Sequence, residues 1–231
     1  MSKTLIFTAT YNEIENIEKL INEINKFCGN AEILIIDDNS PDGTGILLKK
    51  LESQIKNLKV IIRKNKLGLD TAHKLAFNYC KKHNYNKLIT MDADLSHEPK
   101  EIQNFIRLLD INNFVIGSRY IKNGKCEMVW YRFLLSFFGN KLIRFVLNIK
   151  CNEFTTSFRG FNLDKLNNFD MNKISSKGYS FFMETIFYIH KNTNIKEIPI
   201  HFKNRTFGKS KIPKAEIFRT LKNVFYLKFF R

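Results

Sequence analysis

The sequence lacks both glycine signatures that hold phosphates on backbone amides. No G-x-G-x-x-G follows its first apolar run and no G-x-x-x-x-G-K-[ST] occurs anywhere, which excludes the dinucleotide fingerprint and the P-loop. Its four cysteines, Cys28, Cys80, Cys126 and Cys151, lie far apart. They have neither zinc-site spacing nor the pattern of a disulfide framework, so a reducing compartment is expected. No uninterrupted run of about 18 apolar residues exists, and no transmembrane helix is expected. The opening MSKTLIFTATYNE turns acidic too soon for a signal peptide. The five histidines (His73, His83, His97, His190 and His201) are scattered. None pairs at helical spacing and none sits beside a serine or cysteine as a nucleophile's base, so all five read as bland.

What is present is a chain rich in core-forming residues and unevenly charged. At 231 residues and 44% hydrophobic, it is long enough for one sizeable α/β domain. The net charge is +16. Residues 1–115 contribute almost none of it, with 16 Lys and Arg against 15 Asp and Glu, whereas residues 116–231 hold 22 against 7. An excess confined to one half implies an anionic partner there: phosphates, nucleic acid or an acidic membrane face.

Strand-length apolar runs alternate with segments of helical spacing in the first half. Leu5–Phe7, Ile33–Ile36, Val60–Ile62, Leu88–Met91 and Phe114–Gly117 read as strands. Ile14–Phe27, a stretch ending near Leu58, Thr71–Lys82 and about Lys100–Leu109 read as helices. That order predicts a largely parallel sheet. Asn12 is expected to cap the first helix, with Glu13 and Glu15 at its positive end. Three strands run into polar or acidic ends: Tyr11-Asn12-Glu13, Asp37-Asp38 and Asp92-Ala93-Asp94. Ligands in open α/β sheets sit outside the carboxyl ends of strands. Each cluster alone is ordinary turn chemistry, but three on successive strand ends favour a nucleotide site. Asp92 and Asp94, separated only by Ala93, suit a divalent cation that keeps some waters and shares the rest with a phosphate.

The second half opens at Gly117-Ser118-Arg119-Tyr120. From Trp130 to Ile149 it is very apolar, yet Arg132, Ser136 and Asn140 fall at i, i+4 and i+8, one polar stripe on a helix. Such a stripe can hold a phosphate beside a lipid tail, or simply face water. Phe154–Gly160, FTTSFRG, is hydroxyl-rich around Arg159, a candidate second anion contact. In a helix expected at Phe181–His190, Glu184 reads as an ion-pair partner rather than a site residue. Ile198–Phe202 suggests an edge strand, where Pro199 is tolerated. It leads into Arg205-Thr206-Phe207-Gly208-Lys209-Ser210-Lys211, a basic loop composed like a flap over phosphates. The tail, Ile217–Arg231, puts Ile217, Leu221, Val224 and Phe225 on one face, with Arg219, Lys222, Lys228 and Arg231 among them. A basic, Phe-rich amphipathic helix can lie in a membrane interface or pack on a core.

These motifs resemble the dolichyl-phosphate (polyprenol-phosphate) mannosyltransferases, a group of family 2 glycosyltransferases with the GT-A fold. The resemblance runs through TYNEIENI, IIDDNSPDGT, KLGLDTA, MDADLSHEPKEI, GSRY, the Arg132/Ser136/Asn140 stripe, TTSFRGF, SKGYSFFME and RTFGKSK. It implies one Rossmann-like α/β domain over residues 1–231, with a mostly parallel central sheet and a peripheral C-terminal amphipathic helix. Residues 1–118 would be the nucleotide-binding half and 119–231 the acceptor-binding half. Nucleotide contacts are implied for Tyr11, Glu13, Ile36, Asp38, Asp92, Ala93 and Asp94. Asp94, with Asp92, would hold a divalent metal (Mg or Mn). Arg119, Arg132 and Ser136 would hold the acceptor phosphate, with Arg119 also near the donor, while Arg205 and Lys211 close over the donor phosphates. Three positions depart from the group's pattern: Ala9 replaces a usual Pro, Asp70 a common Gly and Phe182 a common Gln.

The reaction this implies is transfer of mannose from GDP-mannose to a polyprenyl phosphate, with inversion. A polyprenyl-phosphate glucosyltransferase using UDP-glucose is the alternative. A non-catalytic basic module binding nucleic acid or membrane would leave the three acidic strand ends unexplained. The implied setting is the cytoplasmic face of a membrane, with peripheral attachment, direct or through a small membrane subunit, and no nucleic acid.

Overall fold

Side chains alternate across each strand, and this sorts the apolar residues into two layers. Along β1 (Thr4–Thr10), Leu5 and Phe7 join one buried cluster and Ile6 the other, as the two-residue period of a strand requires. The computed structural model describes residues 2–205 and 218–231, and the backbone of 214–217. After β1 the chain forms α1 (Ile17–Cys28), β2 (Glu32–Asp37), α2 (Thr44–Gln54), β3 (Leu58–Ile62) and α3 (Leu69–Lys82). β4 (Lys87–Asp92), α4 (Ile102–Leu109), β5 (Phe114–Ser118), β6 (Lys125–Cys126) and α5 (Trp130–Leu147) follow. The last elements are β7 (Arg159–Asn162), α6 (Tyr179–His190), β8 (Ile195–Pro199), β9 (His201–Phe202) and α7 (Lys214–Phe230).

Seven strands form one sheet in the order β3-β2-β1-β4-β7-β5-β8. All neighbours are parallel except β7, which runs antiparallel to β4 and β5. The short β6 and β9 pair with each other in a second sheet. One apolar layer joins α1, α2 and α4 to residues such as Ile33, Ile35, Ile89 and Val115. The other joins α3, α5, α6 and α7 to Leu34, Ile36, Leu88, Phe114 and Phe161. Strands from both halves of the chain share the sheet, so the two halves form one folding unit.

The alternation of the first half predicts these strands and helices to within a few residues, but three features differ. First, α1 begins at Ile17, not Ile14. Asn12 is in the left-handed region (φ 61°), and the Glu13 carbonyl accepts the amides of Asn16 and Ile17. The chain therefore turns before it coils, and Asn12 caps nothing. Second, Ile198–Phe202 is not one strand: β8 stops at Pro199 on the sheet edge, and β9 crosses to the small sheet. Third, β7 begins within FTTSFRGF and ends at Asn162, where no strand is expected. Four residues with an Arg and a Gly carry little strand signal, and the Gly is needed for close approach: a Cβ on Gly160 would lie 2.9 Å from Leu109 Cδ1 of α4.

Candidate active site

Register in a parallel sheet aligns strand ends. Thr10 pairs with Asp37, and Ala9 with Asp92, so the polar ends of β1, β2 and β4 share the carboxyl edge where ligands of α/β sheets bind. A cavity of ≈ 300 Å³ opens beside β1 and β4. Ala9, Tyr11, Asn12 and Glu13 line it from β1, and Asp92, Ala93 and Asp94 from β4. Lys66 and Leu69 contribute from the β3–α3 connection, and Thr155, Ser157, Tyr179, Phe182 and Arg205 from the second half.

The turn after β4 is built to present its acids. Asp94 Oδ1 accepts hydrogen bonds from the Ser96 amide (3.1 Å) and Ser96 Oγ (2.6 Å). Leu95 between them is held at φ 61°, a left-handed conformation that costs a non-glycine residue about 1–2 kcal/mol. Asp94 Oδ2 points the other way, 2.6 Å from Arg205 Nε. Asp92 accepts from Ser157 Oγ at 2.5 Å, and its side chain remains 36% exposed. Burial, reinforced by the neighbouring Asp94 and Asp92 charges, holds the Glu13 carboxyl above the usual carboxylate range, despite the Asn16 amide and Arg205 pulling it down. Lys66 Nζ sits 3.6 Å from the centre of the Tyr11 ring, a cation–π pair.

Among the described residues lining the cavity, three acids outnumber the two cations, Lys66 and Arg205. Among the described residues no group of three or more His, Cys, Asp or Glu side chains is arranged to enclose a metal. This hard-oxygen set fits a divalent cation that takes one or two protein carboxylates and completes its shell with water and phosphate.

Six residues singled out in the sequence meet at this cavity: Tyr11, Glu13, Asp92, Ala93, Asp94 and Arg205. Others do not. Ile36 lies wholly within the apolar layer under α3, because mid-strand alternation turns its side chain inward. Asp38 is buried behind the cavity wall, where it pairs with Arg63 and accepts the Gly68 amide at 2.9 Å. Arg119 is 9% exposed; its Nε and Nη2 donate to Glu153 at 2.7 and 2.9 Å, and Nη2 also to Thr155 Oγ1. Burial pushes the Glu153 carboxyl up, but the Arg119 guanidinium outweighs it and holds the acid below its ordinary range. Lys211 lies outside the described residues, as does most of the basic loop.

The polar stripe of α5 also divides. Asn140 is buried, donating to the Ser136 carbonyl and accepting the Phe154 amide at 2.7 Å each, so it pins α5 to the 153–155 loop. Ser136 Oγ accepts from the Tyr120 hydroxyl, while Arg132 is exposed. Arg159 is not an anion contact. It is 1% exposed and donates to the carbonyls of Thr156, Phe182 and Phe154 at 2.8–3.0 Å, tying the 154–157 loop to α6. Glu184 accepts the Ser175 and Ser176 amides, and so fixes a loop instead of forming an ion pair. Two of the three departures, Ala9 and Phe182, line the cavity; the third, Asp70, accepts the Gly178 amide at 3.3 Å.

One residue that reads as bland in the sequence is placed at the site. His97, between β4 and α4, bonds to Asp92 and Thr156 from behind the cavity. A signal was available, since it lies three residues after Asp94 in DADLSHEP, but a lone His on an apolar stretch is far more often a filler.

A mostly parallel sheet with helices on both faces and an acid pair at its carboxyl edge define a glycosyltransferase of GT-A type. The chain belongs to glycosyl transferase family 2, which it matches over residues 5–169. It is 33% identical over 219 residues to the polyprenol monophosphomannose synthase of Mycolicibacterium smegmatis, covering 93% of this chain and 83% of that one. To the undecaprenyl-phosphate mannosyltransferase of Micrococcus luteus it is 30% identical over 225 residues, covering 96% and 92%. Similar solved structures include glucosyl-3-phosphoglycerate synthase from Mycobacterium tuberculosis with Mn2+ and UDP (TM-score 0.66, 14% identity, 98% of this chain and 78% of that one). A mannosyltransferase from Pyrobaculum calidifontis with GDP-Man and Mn2+ also matches (TM-score 0.56, 14% identity, 99% and 70%). At such identities these two establish the fold.

Proposed function

We propose that this glycosyltransferase moves mannose from GDP-mannose to a polyprenyl phosphate, with inversion at the sugar. The reading is supported by relatives named as polyprenol-phosphate mannosyl enzymes along nearly the full chain, and is carried by one observation: Asp94 and Arg205 meet at 2.6 Å on the wall of an acid-lined cavity. Residues 1–118 supply the nucleotide side, with Tyr11, Lys66 and Glu13 around the nucleoside, and residues 119–231 the acceptor side. Asp94, with Asp92 beside it, would hold a divalent metal, Mg or Mn, which would supply positive charge to the diphosphate. Arg205, which lies against Asp94, would offset charge on the departing diphosphate as the bond to the sugar breaks, and Lys211 is assigned the same task.

On the acceptor side, exposed Arg132 and the Ser136 hydroxyl present the lipid phosphate. Arg119 acts behind them by fixing Thr155, since its charge is already matched by Glu153. The nucleophile is a phosphate oxygen, ionised at neutral pH, so no strong general base is needed; the described cavity wall includes no histidine. Positioning then supplies much of the rate.

The acceptor's lipid implies a membrane surface, and the second half offers one. α5 exposes Trp130 (74%) and Phe145 (84%), and α7 exposes Phe229 (70%) and Phe230 (74%). Arg132, Lys141, Arg144, Arg219, Lys222 and Lys228 are exposed on the same two helices. Aromatic side chains with basic neighbours suit the interface of an anionic leaflet. No helix among the described residues is long and apolar enough to cross a membrane. We place the enzyme peripherally on the cytoplasmic face, with a small membrane subunit as the other means of recruitment.

The test offers radiolabelled GDP-mannose or UDP-glucose to the enzyme with undecaprenyl phosphate in anionic vesicles and Mn2+. Label from GDP-mannose should pass into organic solvent. Label entering from UDP-glucose alone would replace the donor assignment, and none from either would overturn the reaction.

A further inference from the structure

We infer that His97 is a positioning residue that holds the Asp92–Asp94 turn in register with the 154–157 loop. The inference rests on the reading of the cavity as a metal-dependent glycosyl-transfer site. His97 is 1% exposed. Its Nδ1 accepts the backbone N–H of Asp92 at 3.1 Å, and its Nε2 lies 3.3 Å from Thr156 Oγ1. A backbone N–H can only donate, so Nδ1 carries no proton. The neutral ring then bears its proton on Nε2, directed at the threonine hydroxyl.

Both polar edges of the ring are therefore in use, each on a different wall of the cavity. Its faces are in use as well: it stacks on Phe158 at 4.9 Å and meets Phe202 edge-on at 5.5 Å. Phe202 belongs to β9, the strand that feeds Arg205, and the Lys203 amide donates to the Ser96 carbonyl at 3.0 Å. One imidazole thus touches the acid turn, the hydroxyl loop and the strand leading to the cation. Asp92 Oδ1 and Ser157 Oγ join the first two walls a second time, inside the cavity.

A residue that merely filled space would need no polar edges, and phenylalanine would serve in its place. Losing the Nδ1 acceptor instead strands a buried amide at the base of a turn whose Leu95 is already strained. Displacement there is passed two residues along to Asp94. Outer partners of metal ligands typically govern affinity by about 10- to 100-fold.

The two nitrogens can be tested separately. Asn places its amide oxygen near the position of Nδ1, whereas Gln reaches the position of Nε2. Free Mn2+ is titrated by electron paramagnetic resonance against the full-length protein in saturating GDP, with melting temperature followed in parallel. H97F is expected to bind Mn2+ about 10-fold or more weakly, H97N within about threefold of the original and H97Q nearer to H97F. A folded H97F with unchanged Mn2+ affinity would overturn the inference, and so would H97Q binding as well as or better than H97N. If H97F fails to fold, the order of H97N and H97Q decides alone. If the unsubstituted protein retains Mn2+ with neither GDP nor UDP, the metal-site reading itself falls and this inference with it.

Discussion

Two acid pairs end the strands on either side of β1 and look alike in the sequence, yet they are opposites in the fold. Asp37 and Asp38, at the end of β2, take their partners from within the fold. Asp37 accepts from Thr10 Oγ1, the Ser40 amide and Ser40 Oγ, and Asp38 has Arg63 and the Gly68 amide. Asp92 and Asp94, at the end of β4, line a cavity: the Asp92 side chain is exposed there, and Asp94 meets Arg205, from the far end of the chain. The lesson is that carboxylates at strand ends do not mark a site by themselves. The pair proposed as the site is the one that lines a cavity and draws its counter-charge from the far end of the chain.

The contrast can be broken by substitution. Asp94→Asn should lower turnover in the label-transfer assay by about 10³-fold or more, while the melting temperature moves by only about 2–3 °C, because Ser96 still meets the remaining oxygen. Activity within tenfold of the original would make the β4 pair as structural as the β2 pair. Arg63→Met should do the reverse. It leaves Asp38 buried and without its cation, and should cost about 3 kcal/mol in urea unfolding. Adding Asp38→Asn should recover much of that loss. A cost under about 1 kcal/mol would mean that the β2 pair is not held from within.

The smallest effect sharpens the comparison by separating other acid sensitivity from that of the carboxylates. His73 is 3% exposed, edge-on to Phe7 and Phe182 at 5.0 and 5.1 Å. Burial pushes its pKa down to about 3, with help from the Arg159 charge. The folded ring stays neutral while the unfolded ring takes a proton below its ordinary value of 6.5. The stability this provides is complete above that value and is lost as pH falls toward 3, by at most about 1.4 kcal/mol per pH unit. His73→Phe should therefore flatten the decline of the urea midpoint between pH 6.5 and 5. An unchanged slope would assign the decline elsewhere.

Much of the fold was legible because its signals are local. The runs at Ile33–Ile36 and Leu88–Met91 are buried strands on their apolar length alone, and α1 shows its face at Ile17, Leu20, Ile21 and Ile24. β7 was not legible, since its strand character comes from being clasped between β4 and β5. At the site, the acids after β4 and Arg205 could be picked out as residue types in suggestive places. Arg119 and Arg159 could not be told from them: both read as anion contacts, and both are turned inward, one onto Glu153 and one onto three carbonyls. His97 was hidden for the opposite reason, as its partners include Thr156, 59 residues away.

The order of strands and helices, the acids at three strand ends and the confinement of positive charge to residues 116–231 were determined by the sequence by itself. Each depends only on neighbours along the chain. Which acids face a cavity, which arginines are already neutralised and which histidine holds the turn were decided by the tertiary structure. A charged or hydrogen-bonding group takes its role from the partner it meets on burial, and here those partners are brought together from tens of residues apart by the stacking of helices on one sheet.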